Sequence, residues 1–188
     1  MSGRLKEELQ DVGIKSEVLE FGPKVKIENI EYPEKFSVLA YCVKDAEELY
    51  GLDKVLHLAN RFPGIEFYIV GMDLHDSEKY EILPNVTYCG YVDMDTIWPK
   101  ITLLIRMTLH DGYPRMIVEA LAKGRYVIHN YPLSGVIYCQ NTDQAEEKII
   151  TLIDIREKNQ DGQKLVEKKL SFDSFVERNL ELYEDILR

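Results

Sequence analysis

The sequence predicts an α/β fold, a doubly wound Rossmann-like parallel sheet with helices on both faces. Three observations predict it. Short apolar runs recur with little polar alternation, as expected of strands covered on both sides. Helical patterns fall between these runs, the order of βαβ units that build a parallel sheet. The chain, 188 residues long, can bury a substantial core in one domain.

Ser2 to Val12 reads as a short amphipathic helix, with Leu5, Leu9 and Val12 on one face and Gly13 as its stop. Ser16 to Leu19 reads as a short strand. Phe36 to Cys42 is a buried strand, followed by a helix over Gly51 to Phe62 with Leu52, Val55, Leu56 and Ala59 at helical spacing. Ile65 to Val70, closed by Gly71, is the next strand, and Asn85 to Cys89 the one after. Thr102 to Met107 forms a fourth sheet strand, Tyr126 to Ile128 a fifth and Val136 to Cys139 a sixth. Helices from about Asp143 to Lys158 and from Phe172 to Leu187 close the chain. No internal repeat or low-complexity linker interrupts it.

A formal charge of −10 and a pI of about 4.9 argue against a nucleic-acid or anionic-membrane surface. The three cysteines, Cys42, Cys89 and Cys139, are odd in number and far apart. They give neither a disulfide framework nor metal spacing, and point to a reducing, cytoplasmic setting. No apolar run reaches the ~18 residues of a membrane span, and no signal-peptide pattern opens the chain.

The chemistry concentrates in His110-Asp111-Gly112-Tyr113-Pro114-Arg115 and the apolar run that follows, Met116 to Gly124. Pro114 suits the first helical position and Gly124 the stop. Glu119 is the one carboxylate in an otherwise apolar helix, a costly placement unless something pairs with it. Asp111 lies at the helix entrance, and Glu119 sits roughly 7 Å along the axis from the helix start, at about 1.5 Å per residue. Two acids, a glycine and an exposed helix N-terminus suggest a site for phosphate and sugar.

This stretch resembles the acid-x7-acid signature of retaining GT-B glycosyltransferases of family 4, whose usual form is Glu-Gly-Phe-Gly, four residues, then Glu-Ala. Asp111 takes the place of the first glutamate, Pro114 that of the second glycine, and Glu119-Ala120-Leu121-Ala122-Lys123-Gly124 follows the pattern closely. Asn85-Val86-Thr87-Tyr88-Cys89-Gly90-Tyr91-Val92 resembles the family's strand-Gly-x-Val segment. The similarity runs from about Phe36 to Val136. It implies the C-terminal, donor-binding lobe of a GT-B architecture. Residues 1–35 then correspond to a leading inter-lobe segment, 36–170 to the nucleotide-sugar-binding domain and 171–188 to the helix that crosses back to the other lobe.

The resemblance also implies roles. Asp111 would face the transferred sugar, as the catalytic candidate. Glu119 would hold the nucleotide ribose. Gly112, Tyr113 and Arg115 would approach the diphosphate, and Tyr91 and Val92 would meet the base. No metal and no cofactor is implied; a nucleotide-diphospho-sugar enters as substrate. The acceptor lobe is missing, so a protein partner supplying it is expected, with activity absent without it.

The sequence departs from the family in two places. Where an arginine and then a lysine usually grip the diphosphate, Lys44 alone stands for the arginine, and Tyr50 occupies the lysine position. The Gly-Gly-x-Pro-Glu loop is shortened to Pro132-Leu133-Ser134-Gly135-Val136. Both changes weaken the expected grip on a donor.

Each candidate has a structural alternative. Glu119 either holds a ligand or pairs with Arg106 or Arg115. Asp111 either steers a sugar or stabilises the positive end of the following helix, an effect of about 0.3–1 kcal/mol. Arg115 contacts a phosphate or is solvated. Lys44 is close in sequence to Asp45, Glu47 and Glu48, which can neutralise it. His110 next to Asp111 looks like an acid–base pair, but a loop histidine is usually inert, and the next histidine, His129, is distant in sequence. Asp93-Met94-Asp95 has a spacing that could hold a metal and reads instead as a solvated turn. Two rivals accompany the transferase reading: a module that binds a nucleotide or a protein without chemistry, and part of a sugar-nucleotide epimerase.

Overall fold

The computed structural model describes the chain except residues 1–2, 19–21, 29, 75–79, 81, 113 and 188. Helix α1 (Gly3–Asp11) comes first. Six strands follow: β1 (Ser37–Tyr41), β2 (Glu66–Val70), β3 (Val86–Gly90), β4 (Leu103–Arg106), β5 (Tyr126–His129) and β6 (Ile137–Tyr138). All pair in parallel, in the order β3-β2-β1-β4-β5-β6. That is the doubly wound order in which connections run outward in both directions from the middle, leaving a crevice between β1 and β4 where the order reverses.

Between the strands lie α2 (Glu47–Tyr50), α3 (Leu52–Arg61), α4 (Met94–Ile97) with a 3₁₀ turn at Trp98–Lys100, and α5 (Arg115–Ala122). After β6 come α6 (Thr142–Leu152), α7 (Gln160–Lys169) and α8 (Phe172–Leu187). Alternate residues of a strand face opposite ways. Val38, Ala40, Leu103 and Ile105 therefore join one buried cluster with α3 and α6. Leu39, Leu104 and Val127 join a second with Trp98 and α5. Strands buried on both faces explain the continuous apolar runs of the sequence.

Three expectations are corrected. The short strand expected at Ser16 to Leu19 is absent from residues 14–18, while Leu19 lies outside the described residues. No sheet strand pairs with that stretch, and a lone strand has no ladder to stabilise it. Asp93-Met94-Asp95 is solvated, but as the start of a helix rather than a turn: the Asp93 carboxylate accepts from the Asp95 N–H at 3.0 Å, the N-cap of α4. The helix expected to reach Lys158 stops at Leu152, and a separate helix, α7, begins at Gln160. Asn159 caps α7 by accepting from the Gly162 N–H at 2.8 Å. Gly162 fits there because a Cβ would lie 2.9 Å from the Leu121 side chain, so α7 packs closely on α5.

Candidate functional site

The C-terminal ends of the strands gather the polar groups. Arg106 ends β4 and His129 ends β5, paired in register. The Arg106 guanidinium is nearly buried, with 7% of the side chain exposed. It donates to Asp111 Oδ2 from Nε at 3.1 Å and from Nη2 at 2.7 Å. Both bonds fall on one oxygen, so Oδ1 takes no part in the pair. Tyr41 at the end of β1 and Tyr50 at the end of α2 flank the guanidinium, at 6.0 and 5.8 Å from its carbon to the ring centres, and the two rings meet edge to face. A cation over aromatic faces is favoured where water is scarce. Arg106 thus bridges the crevice between β1 and β4.

His129 completes this cluster. Its Nδ1–H donates to the Arg106 carbonyl at 2.8 Å, and the ring stands edge-on to Tyr131. Its side chain is fully buried, and Nε2 has no hydrogen-bond partner although Asp111 Oδ2 lies 4.0 Å away. Burial lowers the pKa of His129, and the Arg106 charge lowers it further. Against these work the hydrogen bond to the Arg106 carbonyl, the Asp111 charge and the Asn130 side chain. Burial likewise raises the Tyr41 hydroxyl, helped by the phenols of Tyr50 and Tyr91.

Gly51 sets the approach of the β1 loop to β4. Its φ is +67°, and a Cβ there would meet the Met107 carbonyl oxygen at 2.2 Å. Lys54, a turn further on, donates to the same carbonyl at 3.0 Å. Gly112 behaves otherwise. Its φ is outside the left-handed region, and a Cβ would meet nothing within 4 Å, so the space beside it is open.

Glu119 corrects the picture of an isolated buried acid. Arg115 donates to it at 2.7 Å across one helical turn, and 21% of its side chain is exposed. Pro114 is the N-cap of α5 rather than its first helical residue, and no side chain caps the N–H groups there. Glu119 and Arg115 open onto a cavity of about 340 Å³ together with Asp93, Asp95, Lys26 and Lys123. Asp93 and Asp95 are therefore spatial neighbours of the acid-bearing helix. Lys123 is buried, pairs with Glu28, and lies 3.6 Å from Asp95.

The remaining candidates spread along the same edge of the sheet. Lys44 is exposed in the turn after β1. Tyr91 and Val92 follow β3, with Tyr91 84% exposed. Tyr113 lies outside the described residues. Among the described residues no group of three or more His, Cys, Asp or Glu could hold a metal ion, and no helix is long and apolar enough to cross a membrane. The sequence reading missed His129 as a neighbour of Asp111. The signal was present: Leu103-Leu104-Ile105-Arg106 and Tyr126-Val127-Ile128-His129 are matched apolar runs, each ending on a cationic or titratable residue.

No family model matches the chain, and no curated protein matches it in sequence. Solved structures match in fold. One is a point mutant of TarM from S. aureus in complex with fondaparinux, α-GlcNAc-glycerol and UDP. It has a TM-score of 0.76 and 16% identity, over 97% of this chain and 43% of that one. Sucrose-phosphate synthase from Thermosynechococcus elongatus gives 0.75 and 14% identity, over 100% and 57%. The C-terminal domain of the group 1 family glycosyl transferase LpcC from Francisella tularensis gives 0.55 and 12%, over 81% of this chain and 96% of that domain. The first two are GT-B glycosyltransferases about twice as long as this chain, which has the fold of a single Rossmann-like lobe of that architecture.

Proposed function

We propose that this chain is the donor-binding lobe of a retaining glycosyltransferase and holds a nucleotide-diphospho-sugar along the C-terminal edge of its sheet. One observation carries the reading. Asp111 stands at the switch-point crevice, with the open space at Gly112 and the uncapped start of α5 beside it, and Glu119 faces an adjoining polar cavity. A sheet of this topology binds its ligand there. The proposed roles follow from chemistry. The first N–H groups of α5 and Arg115 meet the diphosphate and stabilise it as it departs. Asp111 turns its unpaired Oδ1 to the sugar, and Glu119 accepts from ribose hydroxyls. Lys44 adds charge at the diphosphate, and Tyr91 with Val92 offers a face to the base. No divalent metal takes part.

The acceptor comes from a second lobe, supplied by a partner or by a longer chain. Positioning both reactants supplies much of the barrier reduction, so residues 1–188 alone are expected to bind a donor and transfer negligibly. A second reading, a nucleotide-binding module without chemistry, is favoured by the internal pairing of Arg106 with Asp111 and of Arg115 with Glu119.

Thermal unfolding with UDP, GDP, ADP and their glucose conjugates tests the proposal. A nucleotide sugar at about 100 times its Kd stabilises by about 2.7 kcal/mol, raising Tm by roughly 5–10 °C. If the conjugates bind no better than the bare nucleotide, the second reading stands. If none of them shifts Tm, the donor site is refuted.

A further inference from the structure

Resting on the reading of this edge as an anion site, we propose that Arg106 and His129 are alternative partners of Asp111, so that an anion which draws the guanidinium away is bound together with one proton, taken up at Nε2 of His129. The geometry leaves that proton one place to go. Nδ1 already carries a hydrogen, given to the Arg106 carbonyl at 2.8 Å. The only vacant ring position is Nε2, fully buried, without a hydrogen-bond partner and 4.0 Å from Asp111 Oδ2. That oxygen accepts both guanidinium bonds.

While the guanidinium holds Oδ2, a proton on Nε2 would face a neutralised carboxylate beside a cation, on a ring closed off from solvent. When a phosphate oxygen takes the guanidinium, Asp111 is left as a desolvated anion, and the imidazolium next to it becomes the compensating charge. Among the described residues, the charged groups facing the ring are Arg106 from β4 and Asp111 from the following loop. Asn130 and Tyr131 are neutral neighbours on its own segment, and Cys139 after β6 meets the His129 carbonyl through its backbone N–H. The step is a proton transfer from solvent to Nε2, with no change at carbon or phosphorus. His129 is here a positioning residue: it acts on a ligand only through Asp111.

Two experiments test the exchange. The first uses no ligand: the imidazole carbons of residues 1–188 are followed by NMR against pH in the wild type and in Arg106→Met, with Arg106→Gln as a closer isostere if the first variant unfolds. Loss of the guanidinium should raise the His129 pKa by about one unit or more; an unchanged or lower value overturns the proposal. The second is calorimetry with UDP at pH 7.5 in buffers of different ionisation enthalpy. Binding should take up close to one proton in the wild type and none in His129→Gln, whose amide presents a permanent donor. UDP binding without proton uptake in the wild type overturns the exchange and leaves the donor site standing. No UDP binding, with the His129 shift present, overturns the anion site and leaves the coupling of the three residues intact.

Discussion

Arg106 and His129 stand side by side on β4 and β5. The carbonyl of Arg106 accepts the ring proton of His129, and its guanidinium grips the carboxylate at which the other ring nitrogen points. One residue thereby fixes both the orientation of its neighbour and the charge that the neighbour meets.

Removing the guanidinium should be costly. Arg106→Met leaves Asp111 partly buried without its counter-ion, and breaking such a pair from one side costs about 3–5 kcal/mol. Urea unfolding should show this loss, with Tm lower by on the order of 10 °C. The double variant Arg106→Met/Asp111→Asn should recover much of it. A single variant as stable as wild type would show that the pair contributes nothing.

His129 makes stability depend on pH. Its pKa is lowered in the folded chain from an ordinary value of 6.5. Unfolding therefore takes up a proton whenever the pH is below that value but above the folded one. The contribution is complete above about pH 6.5 and is lost as pH falls through the folded value. Urea midpoints from pH 7.5 down to 5 should drop more steeply for wild type than for His129→Gln. Parallel curves would contradict the buried neutral imidazole.

Glu119→Ala separates binding from stability. Its partner Arg115 is largely exposed, and such a helical pair contributes only about 0.3–0.5 kcal/mol. The loss of ribose hydrogen bonds to a charged acceptor should instead weaken UDP binding by about 1–3 kcal/mol. Calorimetry giving equal affinities would remove Glu119 from the site.

Chelation should leave nucleotide affinity unchanged, because the proposed phosphate contacts are the start of α5, Arg115 and Lys44, with Arg106 joining them in the exchange with His129, and none of these is a metal. Asp93 and Asp95 line the neighbouring cavity and are the carboxylates that a cation would recruit. A titration with and without EDTA decides it. If most of the affinity vanishes with chelator, the cation route is correct, and Asp93→Asn should reproduce the loss.

Gly51→Ala should destabilise by more than about 1 kcal/mol, since φ is +67° and the new methyl would collide with the Met107 carbonyl. Its main effect should reach nucleotide binding through the end of β4. Wild-type Tm in this variant would refute the close approach.

The fold was legible because parallel strands buried on both faces announce themselves as unbroken apolar runs, and Val38 to Ala40 or Leu103 to Ile105 needed no tertiary information. The helices after β6 were harder. Gly162 lies inside α7, and only the packing of α7 against α5 makes it an asset. At the site, Asp111 and Glu119 stood out as carboxylates in a recognisable pattern, and Arg115 as a partner for Glu119, but the partners of Asp111 did not. An i,i+4 pair such as Arg115 with Glu119 can be read from spacing. The approach of His129 to Asp111 depends on strand register, and that of Asp93 to Glu119 on two helices meeting across a cavity. The first leaves only the matched ends of two apolar runs, Arg106 and His129, and the second leaves no trace in local sequence.

Behind this edge, two polar contacts help to fasten the stretch before β1. The Glu31 carbonyl accepts from Arg125, a fully buried guanidinium under the Tyr32 ring, and the Glu28 carboxylate accepts from Lys123. From there, Lys24, Val25 and Lys26 reach the cavity shared with Glu119. A residue covers at most about 3.3–3.6 Å, so the length of this stretch limits how far the lysines reach. One residue added between Glu28 and Val25 would shift Lys24 relative to the Phe172 ring and the cavity mouth and leave the Glu28 and Glu31 contacts in place. The charge that a ligand meets on entering is thus measured out by chain length, in a segment that belongs to neither the sheet nor the acidic loop.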